Sequence, residues 1–172
     1  AGCNLHCGWQ TDDGHFSPCD TAYAAYDIRE AYPMEVEDIC QTIIQNCASI
    51  RHLVITGGEP LLQKKELKIL CSRLKQIGDF HITLETNATL FDAEVAENID
   101  LFSLSPKLNS SHPNQHIISI NPTCIQKFIT HAKTQQKEFQ LKFVYACESD
   151  IPEIKELLSQ LKEWQREDIL LM

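Results

Sequence analysis

No apolar run in this sequence is long enough to cross a bilayer, and no charged, apolar and small-residue succession marks a secretory signal. Neither a membrane span nor secretion is expected, and the expected compartment is the cytosol. The sequence also lacks a cluster of lysine or arginine: 15 basic side chains lie among 24 acidic ones, for a net charge of -9. Such a chain has no electrostatic footprint for a phosphate backbone, so direct contact with nucleic acid is not expected. Repeats and low-complexity tracts are absent as well. The 172 residues suit a single domain, 1–172, that buries about two thirds of its unfolded surface. Eight cysteines are present, but the chain is larger than the disulfide-dense secreted modules, and a cytosolic cysteine loop more often binds metal or does chemistry.

Three of those cysteines fall in one stretch, 3–21. Cys3 and Cys7 are separated by three residues, and Cys19 follows after eleven more. The intervening Gly, Asp, Ser and Pro argue for a loop, not a strand or helix. The neighbours Asn4, His6, Pro18 and Asp20 place no cysteine on an apolar periodic face, so burial as a small hydrophobe does not explain them. Three thiolates on one loop can converge on a soft metal centre. Structural zinc usually takes four protein ligands, whereas a [4Fe-4S] cluster held by three cysteines keeps one iron open, so the count favours the cluster.

Downstream, apolar residues at helical spacing predict helices over 33–50, 67–77, 92–98, 122–132 and 150–164. Short apolar runs predict strands over 52–56, 80–85, 100–104, 139–145 and 168–172. Gly78 is placed as a helix C-cap, Pro122 at a first helical position beside Asn121, and Asp150 with Pro152 at the start of the last helix. Strand and helix alternate throughout, which predicts an α/β fold with a parallel sheet and right-handed crossovers. Sites in such sheets lie at the carboxyl ends of strands, where this sequence carries Thr56-Gly57-Gly58-Glu59, Glu85-Thr86-Asn87 and Ser105-Pro106-Lys107. Cys40, Cys47, Cys71, Cys124 and Cys147 read as packing residues. His15, His112, His116 and His131 show no ligand spacing and read as solvated or satisfied histidines.

Gly2-Cys3-Asn4-Leu5-His6-Cys7, Cys19-Asp20-Thr21 and Thr56-Gly57-Gly58-Glu59-Pro60-Leu61-Leu62-Gln63 resemble the radical S-adenosylmethionine enzymes, and closely the 7-carboxy-7-deazaguanine synthase family. Glu85-Thr86-Asn87-Ala88-Thr89, Ser105-Pro106-Lys107 and Leu141-Lys142-Phe143-Val144 resemble that family's ETNGT, SPK and LKF elements in the same order. Two departures stand out. The superfamily's usual spacing is CxxxCxxC, but position 10 is Gln10, and an inserted segment from Trp9 to Pro18 delays the third cysteine to Cys19. The family also has further sequence on both sides of the part matched here, so the chain is expected to be a central domain.

The resemblance implies a partial (β/α) barrel with a mainly parallel curved sheet. It implies a [4Fe-4S] cluster on Cys3, Cys7 and Cys19, with no catalytic side chain because the radical is carried by the cofactor. S-adenosylmethionine would meet Gly57, Gly58 and Glu59 through their backbone groups, and Glu85, Ser105, Pro106 and Lys107. Mg²⁺, which prefers hard oxygen, would be held by the Thr21 hydroxyl. Thr56 and Asn87 would contact substrate. The implied substrate is 6-carboxy-5,6,7,8-tetrahydropterin, which loses its C6 hydrogen to a 5′-deoxyadenosyl radical, contracts and loses ammonia to give 7-carboxy-7-deazaguanine, a queuosine precursor. A flavodoxin or ferredoxin as electron donor and a homodimer are further family expectations. Two alternatives stay open: a glycyl-radical activase, which shares the cluster loop and GGEP but needs no CDT threonine, and a non-catalytic structural zinc module.

Overall fold

The structure, a computed structural model, describes residues 2–10, 15–29, 31–112 and 119–172. His116, the end of the 108–116 loop and the centre of the Trp9–Pro18 insertion lie outside the described residues. The strands β3 (His52–Ile55), β4 (His81–Thr86), β5 (Leu101–Leu104), β6 (Glu138–Phe143) and β7 (Ile169–Leu171) pair in that order, every pair parallel. Parallel neighbours need crossovers. These are α3 (Lys64–Ile77), α4 (Ala93–Ala96), α5 (Pro122–Thr134) and α6 (Asp150–Gln160), while α2 (Val36–Asn46) precedes β3. This is the α/β arrangement of a partial barrel.

The period of two along each strand sorts the side chains. Ile82, Leu84, Phe102, Leu104, Leu141 and Phe143 face the helices and are fully buried against Leu74, Ile125, Phe128 and Ile129. The opposite face carries Thr83, Glu85, Ser103, Gln140 and Lys142, tied in part by Gln140 Nε2 donating to Ser103 Oγ at 2.9 Å. One side of the sheet makes the core and the other is left polar.

Several helix ends follow local sequence. Asn121 accepts from the Cys124 N–H at 3.1 Å with Pro122 opening α5. Two predicted helices are too long. Ala48 adopts a left-handed φ of 45° just after the α2 C-cap, and Leu161 turns extended at the α6 C-cap, so both helices stop before the apolar pattern does. Gly78 is the C-cap of α3 but is extended; a side chain there would meet the Phe80 ring at 2.9 Å. Asp150 points backwards, accepting from Ala146 N–H at 2.7 Å and Cys147 N–H at 3.0 Å.

The stretch read as irregular is not wholly so. Gly8–Gln10 (β1) and Phe16–Pro18 (β2) form an antiparallel hairpin, and α1 (Ala22–Ala25) follows. Phe16, Ser17 and Pro18 are all exposed, so no hydrophobic alternation announces β2. The signal in the sequence was Asp13-Gly14, a hairpin dipeptide. Cys147 is also corrected: it is exposed on the turn after β6, with Sγ 3.0 Å from Ser149 Oγ, and packs in no core.

Candidate active site

The hairpin makes the cysteine arrangement possible. β1 leaves Cys7 and β2 returns beside it, so that the Cys19 N–H donates to the Cys7 carbonyl at 3.1 Å. The third thiol therefore arrives next to the second, despite the eleven residues between them. The loop is fastened to the sheet by backbone. Gly2 N–H donates to Ala24 O at 2.7 Å, and Glu59 N–H donates to Gly2 O at 2.8 Å. At Gly58 a Cβ would lie 2.2 Å from Gly2 O and 2.9 Å from Ala24 O, so only glycine admits this approach. Gly57 has φ of 139° and nothing within 4 Å of the Cβ direction; its open side faces the site.

A cavity of about 190 Å³ lies between the cysteine loop and the carboxyl ends of the strands. Its lining includes Cys3, Cys7, Cys19 and Thr21 from the loop, and Thr56, Gly57, Gly58, Glu85, Asn87, Ser105 and Lys107 from the strand ends. Residues chosen from separate motifs thus meet around one space. Two of the expected residues do not reach it. Pro106 is buried beside it. Glu59 is 1% exposed, and its carboxylate accepts from Leu61 N–H at 3.0 Å, Asn87 N–H at 2.9 Å and the Thr86 hydroxyl at 2.8 Å. Burial pushes the Glu59 pKa up while these donors oppose it. Glu59 is a tie between β4 and the glycine turn.

Lys142, which the sequence showed within the LKF-like element but to which it assigned no role, is a site residue. It donates from Nζ to Glu85 Oε1 at 3.1 Å, while the Thr56 hydroxyl donates to Glu85 Oε2 at 3.1 Å. Its signal was its place off the apolar face of β6, three residues from the strand's predicted end. Lys107 Nζ donates to Ser105 Oγ at 3.0 Å and lies near enough to Cys7 to favour its thiolate. Trp9, from β1, also lines the cavity.

All three loop thiols are unpaired. Burial pushes Cys7 up to about 11, partly opposed by Lys107 and reinforced by Cys19 and Cys3. Burial likewise raises Cys3, against the Leu5 N–H that donates to its sulfur at 3.4 Å. Burial favours the neutral thiol at Cys3 and Cys7, and a cation placed among the sulfurs would be needed to hold them as thiolates. Among the described residues no group of three His, Cys, Asp or Glu is arranged to hold a single ion. Cys3, Cys7 and Cys19 all line the same cavity. Thr21 Oγ1 sits 3.3 Å from Cys19 Sγ, an oxygen at the rim of that space. His112, buried with Nδ1 2.9 Å from Ser111 Oγ, stands away from it.

Residues 1–116 match the model of the Radical SAM superfamily. The chain is 34% identical over 172 residues to a 7-carboxy-7-deazaguanine synthase of Halobacterium salinarum, covering 94% of this chain and 60% of that protein. It is 31% identical over 174 residues to the Rhodopirellula baltica protein of the same name, covering 94% and 59%. The chain thus spans about 60% of the length of these relatives. Its fold is similar to native anSMEcpe with bound AdoMet and Cp18Cys peptide, with TM-score 0.60, 19% identity, and coverage of 99% and 46%. Streptococcus suis SuiB is also similar, with TM-score 0.56, 22% identity, and coverage of 91% and 34%.

Proposed function

Since the chain belongs to the radical S-adenosylmethionine superfamily, we propose that it carries the core domain of a 7-carboxy-7-deazaguanine synthase. The observation that carries this reading is the meeting of Cys3, Cys7 and Cys19 with Gly57, Glu85 and Ser105 around one cavity. Cys3, Cys7 and Cys19 would hold a [4Fe-4S] cluster, which with S-adenosylmethionine would supply the radical chemistry for taking the C6 hydrogen of 6-carboxy-5,6,7,8-tetrahydropterin. The protein binds, orients and excludes water.

Gly57 lets the methionine end approach the backbone. Glu85, held from both sides by Thr56 and Lys142, is a fixed acceptor for ribose hydroxyls, and Ser105 supplies a second polar group. Lys107 keeps the thiolate side of the pocket electrically balanced. Thr21 would offer an oxygen to Mg²⁺, which would supply Lewis-acid and orienting chemistry toward the substrate carboxylate. Thr56, exposed at the strand end, is placed to touch substrate. The single core domain acts with a flavodoxin or ferredoxin as electron donor and within a homodimer. Near-relative names and the CDT, ETN and SPK elements support this chemistry over a glycyl-radical activase.

Anaerobic reconstitution with iron and sulfide tests it. The expected product is brown, with about four irons per chain. Cys19→Ala abolishes iron retention, whereas Cys71→Ala, in the helical core at 0% exposure, keeps it. Colourless protein with one tightly held zinc overturns the reading.

A further inference from the structure

Asn87 sits at the carboxyl end of β4 and is 6% exposed. Its Oδ1 accepts from the Thr89 N–H at 3.0 Å and from the Thr89 hydroxyl at 2.6 Å. Its Nδ2 donates to Asn4 Oδ1 at 2.9 Å, with Cys3 Sγ 3.9 Å away as a longer second acceptor. Asn4 Nδ2 in turn donates to Thr89 Oγ1 at 2.8 Å. Each member of this trio therefore gives one hydrogen bond and receives one around a closed ring. The ring is possible because Ala88 takes a left-handed φ of 59°, which folds Thr89 back over Asn87 in an Asx turn.

We propose that the Asn4–Asn87–Thr89 ring is a clamp that fixes the first cluster ligand, Cys3, to the end of β4, with Asn87 as a positioning residue for the cluster. The inference rests on the cluster reading above. It departs from a substrate-contact role for Asn87, because both polar atoms of that side chain are already engaged within the ring and at Cys3. Cyclic hydrogen bonds polarise one another, so losing one member loosens the other two. Asn4 is adjacent to Cys3, so slack at Asn4 becomes displacement of a thiolate. The amide proton directed at Cys3 Sγ also stabilises negative charge on sulfur, which favours the reduced cluster and raises its potential.

The test compares reconstituted wild type with Asn87→Ala, Asn4→Ala and Thr89→Val. Iron release to a chelator is expected to quicken about tenfold in all three, the range seen when supporting groups around metal sites are removed. The midpoint potential falls only in Asn87→Ala, which alone lacks the amide directed at sulfur. Unchanged release and potential in Asn87→Ala overturn the proposal. If that variant fails to fold, Asn4→Ala decides by its release rate. If wild type takes up no iron, the cluster reading fails, and the clamp is then judged in apoprotein. There Cys3 alkylation by iodoacetamide should quicken in Asn4→Ala, and an unchanged rate overturns the clamp.

Discussion

Glu59 illustrates how a motif residue can serve the site without entering it. Its carboxylate collects Leu61 N–H, Asn87 N–H and the Thr86 hydroxyl in a place that is 1% exposed. Glu59→Ala leaves three buried donors without partners and is expected to cost on the order of 3 kcal/mol, read from urea unfolding of the apoprotein. A loss below about 1 kcal/mol would mean that water takes over the carboxylate's contacts. Thr21 is the opposite case, a side chain lining the cavity whose one hydrogen bond among the described residues is to Cys19 Sγ. Thr21→Val keeps the volume and removes the oxygen. In the whole protein the Mg²⁺ concentration for half-maximal turnover is expected to rise roughly tenfold, with S-adenosylmethionine binding intact. An unmoved magnesium titration would take Thr21 out of the metal site. The sequence made Cys3, Cys7, Cys19, Gly57, Glu85 and Ser105 legible because their residue types have few other reasons to stand at strand ends. Lys142 was given no role because an outward lysine on a strand is ordinary. The Asn4 contact was hidden because its partner is 83 residues away.

Among the elements, the β1-β2 hairpin resolves the odd cysteine spacing. A hairpin adds chain without adding displacement, since its two ends leave and return side by side, as the Cys19 to Cys7 hydrogen bond shows. Deleting 10–18, which joins Trp9 to Cys19, restores the CxxxCxxC spacing and is expected to leave iron content per chain unchanged after reconstitution. Loss of iron would show that the arm itself shapes the ligand loop. The larger elements were legible: each of the five sheet strands and the helices between them lies where apolar periodicity put it, with ends shifted by a few residues. Ends moved where a left-handed residue such as Ala48 stopped a helix whose apolar pattern continued. The hairpin was not legible from pattern, because backbone pairing with exposed side chains leaves no hydrophobic trace.

At the scale of the molecule, the sheet is braced at the end opposite the site. Asp100, just before β5, accepts from Lys75 Nζ at 2.5 Å and from Ile82 N–H at 2.6 Å. Burial raises its pKa, but the Lys75 ammonium and the Ile82 N–H outweigh that and hold it below the usual aspartate value. A depressed carboxylate stabilises the fold above its unfolded pKa and loses that contribution as pH falls through the folded one. Asp100→Asn is therefore expected to lower stability near neutral pH and to flatten the decline between about pH 5 and 3, followed by urea midpoints across that range. Parallel pH profiles for mutant and wild type would refute this. Among the described residues no helix is long and apolar enough to cross a membrane. The buried apolar cluster that joins sheet and helices runs from Cys40 to Leu161 and, among the described residues, includes nothing from the cysteine loop. The loop hangs on it through Gly2, Asn4 and Glu59. If the proposed cluster is held there, folding is expected not to wait on metallation: unlike a zinc finger, whose ion is its core, the sheet would close with no iron at hand, and a shortage of iron would leave folded protein that can be charged later.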